Sequence, residues 1–177
     1  MRSLIFAAAI AAGFAGPAGA ADDNDAMRSA ANGFYGVYKT FHPSDGIPDS
    51  AGRARYQPFV SPALDALLKQ AADAEDRYSK ANKDSPPLVE GDLFTSLFEG
   101  ATGVSIGICS GDSQRGRCAA NLSYADPGGK AVSWTDSVEL VNTPAGWRVN
   151  DIVYGGTWDF GNKGALSGTL RQVIGFQ

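Results

Sequence analysis

The apolar residues of this chain change their spacing near Gly103, and that change decides the fold class. Upstream, Met27, Ala30, Ala31, Phe34, Val37, Tyr38 and Phe41 recur at steps of three or four, the period of an amphipathic helix. Acidic residues from Asp22 to Asp25 suit the start of this helix, and Pro43 and Gly46 stop it. Residues 43–57 read as a loop. Ser61-Pro62 is an N-cap followed by proline at the first helical position, and it leads a second stripe of Leu64, Leu67, Leu68, Ala71 and Tyr78. Leu88 to Phe98 is ambiguous, with Gly91-Asp92 as a turn before a short apolar piece.

Downstream the period is two. Val104, Ile106 and Ile108 alternate with Ser105 and Gly107, and Ala120, Leu122 and Tyr124 alternate with Asn121 and Ser123. Asp126-Pro127-Gly128-Gly129 is a turn, and residues 131–141 and 146–154 form a hairpin around Asn142-Thr143-Pro144-Ala145. Leu166 to Ile174 reads as either a closing helix or a last strand. Helices followed by consecutive strands imply an α+β domain: an antiparallel sheet of about four to five strands on two or three N-terminal helices.

The first twenty residues read as an export signal, 1–20, leaving one domain, 21–177. Arg2 precedes an apolar run from Leu4 to Phe14, and Ala18-Gly19-Ala20 follows as a cleavage site after the Gly16-Pro17 breaker. The run is short for a membrane span, and no later stretch is apolar enough for one. The whole chain carries 15 Lys+Arg against 19 Asp+Glu, a formal −4. Loss of Arg2 makes the exported form −5. No basic block stands out, which argues against nucleic-acid binding.

Export gives Cys109 and Cys118 a meaning. In an oxidising compartment they are expected to pair, stapling a hairpin whose loop is Ser110 to Arg117. The spacing is not that of a C-x-x-C redox pair.

The last hairpin can be registered from its pattern. Pairing Val141 with Gly146 puts Leu140 opposite Trp147, Val138 opposite Val149 and Trp134 opposite Val153 on one face. Glu139–Arg148, Ser137–Asn150 and Thr135–Ile152 share the other. In this register Asp136 faces Asp151 on the apolar side. Two carboxylates held that close in a partly dry site cannot both ionise cheaply, so Asp136 and Asp151 are the candidate acid–base pair. Alternatively, both sit at an open rim or bind loop amides.

Other chemistry finds little footing. A single histidine, His42, and two cysteines expected to be oxidised leave no zinc set, so no metal or cofactor is called for. Gly111-Asp112-Ser113 lacks the continuation of a serine-protease motif and reads as a turn. The glycines at 155, 156, 161 and 164 lack phosphate-loop spacing. Phe34, Tyr35, Tyr38, Tyr124, Trp134 and Trp147 are either core or the lining of a cleft for an apolar ligand. Trp158 and Phe160, in a Gly-rich segment, suit a rim or a partner contact.

Phe34-Tyr35-Gly36-Val37-Tyr38, Ser61-Pro62-Ala63-Leu64, Gly91-Asp92-Leu93-Phe94 and Trp147-Arg148-Val149-Asn150-Asp151-Ile152 together resemble the bacterial domain-of-unknown-function family 3828. The likeness covers residues 27–155. It implies a cone like that of nuclear-transport-factor-2-like (cystatin-like) proteins: a strongly bent sheet around helices, with a concave pocket, in exported or periplasmic proteins. It implies no particular activity.

Three functions are open on these grounds. The first is a noncatalytic periplasmic or secreted module that binds a small apolar ligand or a protein partner. The second is an isomerase-type or dehydratase-type enzyme with Asp136 or Asp151 as base and Tyr35, Tyr38 or Tyr124 as oxyanion donor. The third is an inhibitor or immunity-like protein acting through residues 110–117.

Overall fold

The computed structural model describes residues 18–40, 46–126 and 128–176, with side chains from Asp23 onward. Most of the expected signal segment, together with Phe41, His42, Pro43 and Pro127, lies outside the described residues.

Among the described residues three helices precede the sheet and one follows it, which is an α+β arrangement. The first, α1 (Ala18–Thr40), starts ahead of the acidic Asp22–Asp25 cluster and buries Met27, Ala31, Phe34, Tyr35 and Tyr38. The segment read as a loop holds α2 (Ser50–Tyr56). Asp49 caps it by accepting a hydrogen bond from the Gly52 amide at 2.7 Å. This one short helix buries only Gly52 and Tyr56, so it carries no periodic stripe to reveal it. In α3 (Pro62–Ala81) Ser61 Oγ accepts from the Leu64 amide at 3.1 Å, and Leu64, Leu68, Ala71 and Ala74 face the core. The ambiguous C-terminal segment is α4 (Leu166–Gly175), with Leu166, Leu170 and Val173 buried along one face.

The sheet is an antiparallel meander of β1 (Gly103–Gly111), β2 (Arg115–Tyr124), β3 (Val132–Thr143) and β4 (Gly146–Val153), in that spatial order. Cys118, Ala120, Leu122, Trp134, Val138, Leu140, Val149 and Ile152 form its buried face. Its two outer strands are both covered. Along β1, Arg28 donates to the carbonyls of Ile106 and Gly107, and Lys39 Nζ donates to Val104 O at 2.9 Å. Along β4, Ser61 N donates to Val149 O and Val149 N donates to Phe59 O, each at 2.8 Å. Cationic side chains from α1 and a bridging segment thus take up backbone groups that would otherwise invite another strand.

Cys109 and Cys118 pair directly across β1 and β2 and form a disulfide with Cα atoms 4.0 Å apart. The strands run past the bridge, so the loop read as Ser110–Arg117 shortens to Asp112–Gln114. There Asp112 Oδ1 accepts from the amides of Gln114 and Arg115 at 2.8 and 2.9 Å. Replacing both cysteines with serine is expected to lower the unfolding free energy by about 2.5–3 kcal/mol through the unfolded chain. Urea unfolding checks this, and an unchanged midpoint would contradict it.

The β3–β4 register corrects the sequence reading. Thr143 pairs with Gly146, so the turn is the two residues Pro144-Ala145. Gly146 has φ +92°, a conformation that glycine adopts at little cost. A register shift then falls between Glu139 and Leu140, leaving Asn150 unpaired between Val149 and Asp151. Ser61 Oγ donates to Asn150 Oδ1 at 2.8 Å, beside this bulge. The extra residue turns Ile152 inward opposite Val138 and places Asp151 opposite Glu139 on the other face. Strict alternation, on which the Asp136–Asp151 pairing depended, fails at that point.

Candidate functional site

Asp136 and Asp151 therefore do separate jobs. Asp151 accepts from Ser167 N at 2.9 Å and Ser167 Oγ at 2.6 Å, tying β4 to the first turn of α4. Asp136 lies on the core side of β3 and is fully buried. Its carboxylate accepts from Ser96 N at 2.9 Å, Gly155 N at 2.8 Å, Trp134 Nε1 at 3.2 Å and the Ser96 hydroxyl. The two aspartates share none of these partners.

A second buried carboxylate, Asp92, does similar work and was not singled out from sequence. Its Oδ1 accepts from the amides of Phe94 at 2.6 Å and Thr95 at 2.8 Å, and its Oδ2 accepts from Tyr38 Oη. Aspartate bonding to amides two and three residues on is the local chemistry of a turn. The Gly91-Asp92 pair was legible to that extent.

These carboxylates explain an unusual segment. Residues 91–97 are all buried, yet they form neither helix nor strand. Loops normally stay at the surface because their backbone groups need partners. Here side chains provide them. Tyr154 Oη donates to Leu93 O at 2.7 Å, and Tyr35 Oη donates to Phe94 O at 3.3 Å. Asn162 Nδ2 donates to the carbonyls of Asp92 and Thr95 at 2.6 and 2.7 Å. No buried side-chain nitrogen or oxygen among the described residues lacks a partner.

The same network fixes the segment that leaves β4. Besides Gly155 on Asp136, Gly156 N donates to Ser96 Oγ at 2.9 Å and Asn162 N donates to Ser96 O at 2.9 Å. Ser96 thus joins both segments to Asp136. Trp134, bonded to Asp136, stands edge-on to Trp158 with ring centres 5.1 Å apart.

Where the two segments reach the surface they wall a groove of about 640 Å³, lined by Leu97, Phe98, Tyr124, Val132, Trp158 and Phe160 together with Glu90, Glu99, Lys130 and Gly161. The volume is within the range of small-molecule sites. Phe98 is 44% and Phe160 91% exposed. The Phe98 ring lies over Gly91, where a Cβ would come within 2.7 Å of it. Gly91 also has φ +72°, so a side chain there is excluded twice.

Of the aromatic residues considered from sequence, Tyr124 lines this groove. Trp134 backs its wall through Trp158. Phe34, Tyr35 and Tyr38 are fully buried core instead. Trp147 is buried, and its Nε1 donates to Asp23 Oδ1 at 3.2 Å. The core tyrosines are held as neutral donors. Burial pushes the Tyr35, Tyr38, Tyr56 and Tyr154 hydroxyls well above the ordinary phenol range, and the Asp92 charge adds to the rise in each. Among the described residues there is no group of three or more His, Cys, Asp or Glu that could hold a metal ion.

No family model, curated protein or solved structure matches the chain.

Proposed function

We propose that the protein is an exported, noncatalytic binding module, periplasmic or secreted, whose ligand site is the groove between residues 97–99 and 158–161. One observation carries this reading. Phe98, Trp158 and Phe160 are presented at the surface by backbone that two buried aspartates lock in place. A site built before its ligand arrives loses less freedom on binding. The disulfide supports an oxidising compartment, and the resemblance to family 3828 points to the same place. A noncatalytic role is supported by the occupation of Asp136, Asp151, Tyr35 and Tyr38, each of which bonds a backbone amide, a carbonyl or another fixed group.

The uncharged dye N-phenyl-1-naphthylamine tests the reading. Its fluorescence is expected to rise on binding, and Trp158→Ala is expected to weaken binding about tenfold or more through lost apolar contact. Ile108→Ser, on the far side of the sheet, is expected to leave binding unchanged. Equal affinity for wild type and Trp158→Ala would remove the groove from consideration.

A further inference from the structure

The groove carries charges as well as rings. Glu90 and Glu99 both line it, both are exposed, and neither makes an ion pair with a described residue. The one cation among the lining residues is Lys130, on the β2–β3 connection. The lining residues therefore carry a formal net negative charge beside the rings of Phe98, Tyr124, Trp158 and Phe160. Aromatic faces and carboxylates favour the same guest, because ring quadrupoles present negative potential and anions add to it. A neutral apolar guest would gain nothing from Glu90 and Glu99, and an anionic one would be repelled.

We propose that this groove takes a small organic cation with an apolar surface, of the quaternary or alkylated ammonium class. The inference rests on the groove being a binding site and names the chemistry of its occupant. Trp158, braced by Trp134, is the platform for the cationic head. Glu90 and Glu99 neutralise it, and Lys130 opposes it.

Choline and its uncharged isostere 3,3-dimethylbutan-1-ol make the test, read by amide chemical shifts on the full exported chain. Choline is expected to shift the amides of residues 97–99 and 158–161 and to bind about tenfold more tightly than the alcohol. Glu90→Gln with Glu99→Gln is expected to bring choline down to the affinity of the alcohol while leaving the alcohol unchanged. Lys130→Met is expected to tighten choline. Equal binding of choline and the alcohol in the groove would overturn the cation proposal and leave the binding-module reading standing. Failure of both, while N-phenyl-1-naphthylamine still binds there, would also overturn it. Failure of all three probes would overturn the underlying reading as well.

Discussion

Asp136→Ala is expected to destabilise the fold by about 3–5 kcal/mol, the range for breaking a buried charged network from one side. The change strands four donors at once: two backbone amides, the Ser96 hydroxyl and the Trp134 indole. Each was desolvated to meet the carboxylate, and alanine offers nothing in return. For a domain of this size the melting temperature should fall by roughly 6–20 °C. Hydrogen exchange distinguishes this from a general weakening. Amides of residues 94–96 and 155–162 are expected to exchange faster well before those of β1 and β2 do. Loss of less than about 1 kcal/mol would mean that Asp136 does not hold these segments.

Phe94→Ala is expected to cost about 3–5 kcal/mol as well, for a different reason. Phe94 sits in a segment without regular structure, and at exposed loop positions substitutions ordinarily change stability by about half a kcal/mol or less. Its side chain is nevertheless fully buried. The ring centre is 4.8 Å from that of Tyr56 and 5.3 Å from that of Phe34, edge-on to the latter. Truncation leaves a cavity between α1, α2 and the loop, and the loop cannot collapse into it while Asp92 and Asn162 hold its backbone. Urea unfolding of the variant measures the loss. A value typical of a surface loop would contradict the placement of this segment in the core.

The sequence announced the parts of the fold that repeat. The helical stripes of α1 and α3, the Ser61 cap and the existence of the strands follow from local spacing. The alternation of β1 does not hold throughout: a register shift between Ile106 and Cys109 turns Ile108 out to solvent, off the face that Val104 and Ile106 were read to share with it. The disulfide was legible because two cysteines in a chain read as exported have few alternatives. What escaped was non-periodic. A single unpaired Asn150 reverses the facing of everything after it, so Asp151 was assigned to the wrong side of β4. The helix α2 has too short a buried face to show a period. Ser96 and Asn162 act through partners far away in the chain, as Asp92 does in accepting from Tyr38, and residue type alone gives no sign of such pairing. Trp158 and Phe160 were noticed because large rings in a Gly-rich segment are conspicuous. The groove they share with Phe98 and Glu99 required the tertiary fold.

The proposed ligand site is the loop-built groove, rather than the aspartates or the open sheet face. An amide chemical-shift map of the wild-type chain titrated with N-phenyl-1-naphthylamine tests it most directly. Shifts are expected at residues 97–99, 124, 130–132 and 158–161. Shifts centred on Ile108 and Val153, which line a separate depression of about 290 Å³ on the other face of the sheet, would contradict it.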